Sequence, residues 1–388
     1  MMDAHRLEVK LFTPFVTEKD AAELVLRLYS IKAIEVKELD SYMDRAFVVR
    51  SAPGKGIDGQ TDFILKVLNT DETTDPPDTV AVQMKVLDHL RQFPELKCQV
   101  PVPTVDGKLL SYEMLQNDSM SNGIVTSRKG LSAVRMFVYL QGQPLDDVAP
   151  VPSEFFYKMG QHIGDLQHAL QTYPGNVEPL KEKANVCYWF SENIQQIKHH
   201  LQVVEDPLRR ALVEEVIDET LGTVTPIQED LRKGIVVYDC SHWNLLVRSA
   251  DSANGTKQSD KTTAGDFEIS GIIDFDTMVH TALVYEIAVS MMYLMLCSDS
   301  PLECTAHLLA GFESRAPLSQ DERHLLRVLI AGRFVYSLIY GLVLHKAQPQ
   351  NASILSSQVR GWECLELLWK KSSEDLMNLW DKIKRLYE

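Results

Sequence analysis

The sequence predicts an α/β protein of the α+β kind, built in two lobes. Strand-like runs crowd its first third, helical spacing dominates beyond residue 153, and the character changes at Gln141-Gly142-Gln143-Pro144. This places a β-rich N-terminal lobe with its hinge at 1–140 and a mainly helical C-terminal lobe at 141–388. At 388 residues and 45% hydrophobic content, the chain has enough apolar material for two cores.

Thr17-Glu18-Lys19-Asp20 is a variant capping box, with Asp in the usual Glu place, and predicts a helix to about Tyr29. Strand patterns follow at 33–39, 46–51 and 62–68, with the turn cluster Ala52 to Gly56 before the last. Val80, Met84, Leu87 and Leu90 predict a helix over 78–92, and strands return near 99–102, 112–115 and 134–140. Past the hinge, Ser153 is the expected cap of a helix carrying Phe156, Met159, Ile163, Leu166 and Leu170. Further helices are expected near 207–221, 281–297, 303–314, 319–346 and 355–387. Two β-rich pieces, 235–248 and 268–275, interrupt them, joined by a polar stretch from Ser249 to Gly265 that predicts an exposed, mobile loop.

A formal charge of −15 lacks the basic face that nucleic acid or anionic lipid requires, and favours small cationic substrates weakly. The six cysteines form no Cys-x-x-Cys pair and are expected as reduced thiols. With no signal-like start, and with the longest apolar run, Leu283 to Leu296, too short for a bilayer, a cytoplasmic protein is expected.

Chemistry concentrates in two short acidic motifs. Asp239-Cys240-Ser241-His242-Trp243-Asn244 leaves the apolar run Ile235 to Val237, and Asp274-Phe275-Asp276 leaves Gly271-Ile272-Ile273. A carboxylate at a strand end orients or deprotonates a hydroxyl, and an amide oxygen five residues on suits magnesium. Asp274 supplies a second carboxylate, while Asp276 suits a helix cap before Thr277 to Leu296. Each motif alone is also an ordinary strand-to-turn sequence; their order and pairing favour a magnesium–phosphate site. Lys66, one cation in the apolar strand Phe63 to Leu68, is expected to meet an anion such as a nucleotide phosphate. Ser41, in a glycine-free turn between two strands, offers a hydroxyl to phosphate, though an ordinary polar hairpin is the simpler reading. His162, His168 and His199-His200 lack ligand spacing, and Cys240 has no base beside it in sequence.

Together, Asp239 to Asn244, Gly271 to Asp276 and Lys66 resemble the aminoglycoside-phosphotransferase-like small-molecule kinases, which have the two-lobe protein-kinase-like fold. Leu309 to Ser314, Tyr139 to Pro144, and Ser41-Tyr42 with Asp44 and Phe47 further resemble the members that phosphorylate 5-hydroxy-L-lysine. The resemblance covers about residues 17–346. It implies a nucleotide between the lobes, GTP in preference to ATP, with Mg2+. It also implies Asp239 as catalytic base, Asn244 and Asp274 at the metal, Lys66 at the phosphates, and Arg135, Phe137 and Tyr139 bordering the base. Homoserine or choline remain alternative acceptors. Where the family writes His-Gly-Asp this chain has Val237-Tyr238-Asp239, and helix 78–92 offers Gln83 but no Glu to Lys66. A catalytically impaired pseudokinase is the alternative those departures motivate.

Overall fold

The computed structural model describes residues 13–41, 44–69, 78–121, 124–148, 151–186, 190–249, 267–347, 349 and 352–388. The chain forms two compact units, one of residues 1–92 and 99–140, the other of 93–98 and 141–388.

The first unit is a seven-stranded antiparallel sheet with two helices. Strands β1 (Thr13–Pro14), β2 (Ala33–Leu39), β3 (Arg45–Ser51), β4 (Asp62–Asn69), β5 (Pro101–Val102), β6 (Ser111–Ser121) and β7 (Ile124–Val138) lie in the order β1-β6-β7-β4-β3-β2, with β5 also on β7. Helix α1 (Glu18–Tyr29) opens with the expected box: Thr17 Oγ1 accepts from Asp20 N–H, and Asp20 accepts from Thr17 N–H at 2.9 Å. Its apolar side, Ala21, Leu24, Val25 and Leu28, packs with Phe47, Val49, Phe63, Leu65 and Val67, forming this unit's core. Helix α2 (Thr79–Leu90) buries Val80, Val82, Met84 and Leu87. The strands expected at 112–115 and 134–140 prove to be parts of one long hairpin, β6–β7, paired from Ser111↔Val134 to Ser121↔Ile124. Its distal half is mostly polar, with Thr126 to Lys129 exposed, so no regular apolar alternation marks it; the signal in the sequence is Asn122-Gly123, a hairpin-turn dipeptide.

In the second unit, β8 (Gln143–Pro144), β10 (Leu245–Ser249) and β11 (Phe267–Ile272) form a three-stranded sheet, and β9 (Lys233–Val236) pairs with β12 (Val279–Ala282). The polar loop expected between β10 and β11 lies, beyond Ser249, outside the described residues. Helix α3 (Ser153–Leu170) starts with Ser153 as its first residue rather than its cap, Pro152 taking the cap position. It crosses α7 (Pro301–Glu313) at backbone contact. A Cβ on Gly160 would stand 1.9 Å from Leu308 O, and one on Gly311 1.9 Å from Tyr157 O. Helices α4 (Glu178–Val186), unmarked in the sequence reading, and α5 (Pro207–Thr223) follow, with a 3-10 stretch, Ser191–Val203, between them. Helix α6 (Val284–Leu296) starts later than expected. The segment after Asp276 instead forms β12, whose Val279 and Thr281 are β-branched, so Asp276 caps no helix there.

Helix α8 (Gln320–Ala347) is long and apolar enough to cross a bilayer by length and composition, but 78% of its apolar window is buried inside the protein. The expected helix over 355–387 is broken into a 3-10 stretch (Ala352–Gln358), α9 (Gly361–Trp369) and α10 (Ser373–Lys384); Ser372 and Asp375 make the capping box that restarts it.

Candidate active site

Strand β9 ends at Val236, and the chain turns through Val237 to Asn244 before β10 begins. Tyr238 takes the turn with φ +68, a left-handed conformation that costs a non-glycine residue about 1–2 kcal/mol. Packing over-determines it. The ring is fully buried, edge-on to Phe190 at 4.7 Å, and 5.6 Å from Tyr285.

The loop is held from below by Glu286 on α6. Its buried carboxylate accepts the backbone N–H of Val237 and of Tyr238 and the thiol of Cys240, while Thr277 Oγ1 donates to Val237 O at 2.8 Å. Burial raises the Glu286 pKa, and these bonds oppose the rise. Val237 thus needs no side-chain donor of its own. Glu286, which by its charge alone could pair with a substrate ammonium, is committed to this loop. Glu313 is equally committed, to Arg323 and Lys384 at 3.0 Å each. The five described cysteines are free thiols, and Cys187 lies outside the described residues. Burial raises the Cys240 thiol well above its ordinary pKa, which removes it as a nucleophile.

The loop brings Asp239 and Asn244 into contact. Asn244 Nδ2 donates to Asp239 Oδ2 at 2.8 Å and to Asp239 O at 3.1 Å. With its NH2 turned to Asp239, the amide presents its carbonyl oxygen as the end suited to a cation. Asp274 arrives from the partner strand. Leu245 pairs with Ile272, Ile273 N–H donates to Asn244 O at 2.9 Å, and Asp274, at φ +62, turns the chain there. Asp239 Oδ1 is buried with no hydrogen-bond partner among the described residues, although the residue retains some solvent contact.

Burial pushes the Asp239 carboxyl up to about 7; Arg333 opposes the rise, and the Asp274 charge adds to it. Two carboxylates that repel each other, beside an oriented amide oxygen, form a donor set that fits a hard divalent cation. Among the described residues no three His, Cys, Asp or Glu side chains gather for an ion, so bound phosphate would have to complete such a shell.

Arg333 escaped the sequence reading because it arrives from far along the chain, and His242, inside the Asp239–Asn244 motif, was given no role there. Arg333 of α8 lies over the Tyr238 ring at 5.5 Å and the Tyr293 ring at 5.3 Å and donates to Tyr293 Oη at 2.8 Å. His242 is buried, with its Nε2 3.8 Å from Asp146 and its pKa lowered to about 4 by burial.

The nucleotide-facing candidates lie in the first unit. Lys66 is buried on β4, its Nζ 3.3 Å from Asp44 Oδ2, opposite Ala46 and Arg135 in the sheet. Ser41 is exposed and its hydroxyl donates to Asp44 O, so that oxygen is engaged within its own turn; Tyr42 lies outside the described residues. Arg135 and Phe137 are fully buried, the guanidinium 5.7 Å from the Phe137 ring. Tyr139 is half-buried and its N–H donates to Asp62 O.

The model of the phosphotransferase enzyme family matches residues 15–323. The chain belongs to that family. This phosphotransferase uses an alcohol group as its class of acceptor. It is 28% identical over 383 residues to a hydroxylysine kinase of Mus musculus, covering 97% of this chain and 95% of that protein. A hydroxylysine kinase of Danio rerio is also 28% identical, over 96% of this chain and 97% of its own length. Among solved structures, the phosphotransferase resembles amicoumacin kinase in complex with AMP-PNP, Ca2+ and Ami. The TM-score is 0.62 at 15% identity, over 92% of this chain and 94% of that one. A microcompartment-associated aminopropanol kinase gives a TM-score of 0.62 at 17% identity, over 93% and 99%. These likenesses establish the kinase-like fold, with its β-sheet N-terminal part and helical C-terminal part.

Proposed function

We propose that this phosphotransferase moves the γ-phosphoryl group of GTP to the side-chain hydroxyl of 5-hydroxy-L-lysine in the cytoplasm, with Mg2+. The acceptor is supported by relatives named hydroxylysine kinase, which align over nearly the whole chain. The chemistry is supported above all by the bond that fixes the Asn244 amide against Asp239.

In the proposed mechanism Asp239 receives the acceptor hydroxyl on its unpartnered Oδ1 and takes the proton as the oxygen attacks phosphorus. Asn244 and Asp274 would hold the cation, and Lys66 would meet the phosphates. When bound, the divalent ion neutralises phosphate charge. Glu286 contributes by fixing the loop backbone, so that little reorganisation is left for the chemical step. Arg135, Phe137 and Tyr139 are proposed at the base; of these, Tyr139 is the half-buried one, the other two being sealed. Ser41 would have to exchange its bond to Asp44 for one to phosphate.

The test is a panel of hydroxylysine, homoserine, choline and aminopropanol, assayed with GTP and ATP in magnesium. Hydroxylysine with GTP should give the highest kcat/KM; a different preferred acceptor overturns the assignment. The pseudokinase reading has Tyr238 in a left-handed conformation as its supporting observation. It predicts nucleotide binding without turnover on any acceptor.

A further inference from the structure

The proposed mechanism uses Asp239 and Asp274, while Glu286 is held by the loop backbone and Glu313 by Arg323 and Lys384. A carboxylate beside the loop has no such commitment. Asp146 lies in the 3-10 turn Leu145–Asp147, just past β8 and in the same unit as the loop. Its N–H donates to His242 O at 3.4 Å, which ties this turn to the loop two residues before Asn244. Its side chain is 36% exposed. Among the described residues, the one basic group within 4 Å of its carboxylate is His242 Nε2, at 3.8 Å, beyond hydrogen-bond reach. His242 is itself 2% exposed, and its Nδ1 has no hydrogen-bond partner among the described residues. Burial lowers its pKa to about 4, so the ring is neutral at pH 7 and brings Asp146 no charge. Burial, and then the charge of Asp147, raises the Asp146 pKa, as befits a carboxylate that lacks a cation. On the other side of the imidazole, 4.5 Å between ring centres, is Trp243, 41% exposed.

We infer that Asp146 receives an ammonium group of the acceptor beside the Trp243 indole, and that this pair makes the site select amines among alcohols; this rests on the proposed function. Three observations support it. The carboxylate is open to solvent and has no Lys or Arg in contact among the described residues. The buried imidazole directed at it cannot neutralise it, and replaces water on that side with low-dielectric surroundings, where a charge pair counts for more. An exposed indole adjoins the same imidazole, and among aromatic side chains the indole face attracts an ammonium best. A nucleotide sugar hydroxyl also bonds to carboxylates, but it carries no charge and would leave the repulsion between Asp146 and Asp147 in place. An ammonium relieves it. The formal charge of −15 favours approach of the same class of molecule.

The experiment measures kcat and KM for both substrates in Asp146→Asn, which keeps the shape and removes the charge. KM for 5-hydroxy-L-lysine should rise by about 10-fold, the effect of one charged hydrogen bond at a half-exposed site. The kcat and the KM for GTP should stay within a few-fold of the parent. Two analogues locate the group: 6-amino-5-hydroxyhexanoic acid lacks the α-ammonium, and 2-amino-5-hydroxyhexanoic acid lacks the ε-ammonium. Asp146→Asn should leave KM unchanged for whichever analogue lacks the ammonium that Asp146 receives. Trp243→Leu should raise KM for hydroxylysine by about threefold. A rise in the nucleotide KM instead places Asp146 at the sugar hydroxyls and overturns the inference. So does an equal rise for hydroxylysine and both analogues, or a hydroxylysine KM unmoved in either variant. Calorimetric binding separates this from the proposed function. Without turnover, hydroxylysine binding that Asp146→Asn weakens keeps the ammonium reading and sinks the transferase reading. A different preferred amine showing the same KM rise sinks only the hydroxylysine assignment. No binding of any amine in the panel sinks both.

Discussion

Lys66 and Arg333 are both buried cations associated with an aspartate, and the two arrangements differ in one respect. Lys66 touches Asp44 at 3.3 Å, whereas Arg333 influences Asp239 across space and leaves that carboxylate to Asn244. A contact pair satisfies both charges and lowers the cost of burial. At Asp239 burial raises the carboxyl pKa and Arg333 only opposes the rise, which under the proposed mechanism suits it to receive a proton.

The sharpest way to break this contrast is Asp239→Asn. Turnover should fall by about 10³-fold or more, with nucleotide affinity within a few-fold of the parent by calorimetry. Undiminished turnover removes Asp239 from the reaction. Next comes Lys66→Met, expected to lower kcat/KM for nucleotide by about 10²-fold. An effect below threefold would leave Lys66 a structural member of the first unit's sheet.

Stability gives the third comparison. Glu286→Gln replaces an acceptor with a side chain half donor, facing two loop N–H groups; it should cost about 1–3 kcal/mol in denaturant unfolding. Asp239→Asn should act in the opposite direction. Its carboxyl ionises near pH 7 when folded and near 3.8 when free, so its contribution is complete below pH 4 and is lost as pH rises through 7. Without metal, the stability of the variant relative to the parent should therefore grow between pH 4 and 8. A gain of about 1–2 kcal/mol is expected, less than the full shift implies because the residue retains some solvent contact. A pH-independent difference would show that the carboxyl is not strained by burial. The smallest effect belongs to Asp44→Asn, a few-fold change in KM for nucleotide, since the partner of Lys66 changes while the ammonium stays.

Much of the candidate loop was legible because its logic is local. Asp239 and Asn244 are five residues apart, and the strand pattern after Asn244 fixes where the loop ends. Asp274 was legible for the same reason, at the end of an apolar strand. What supports the loop was not legible: Glu286 and Arg333 arrive from helices 47 and 94 residues beyond Asp239, and only tertiary packing brings them in. Tyr238 shows a related limit. Sequence reasoning marks a tyrosine at a glycine position as a source of strain, yet cannot see the aromatic neighbours that hold it there. In the first unit, the family resemblance implied Arg135 and Phe137 at the base, and both side chains are fully buried on strand β7. The β6–β7 hairpin was missed because its distal half alternates nothing apolar. Strand β12 was missed because its four residues run straight into an apolar helix.

The reciprocal glycines of α3 and α7 bear on inheritance as much as on architecture. Each lies where the other helix's main chain passes, so neither position tolerates even a methyl group, and no change at one relieves a change at the other. A single missense event at 160 or 311 would therefore strain the packing of these two helices while sparing every residue proposed to react. Loss of this activity in a cell need not trace to the residues that perform it.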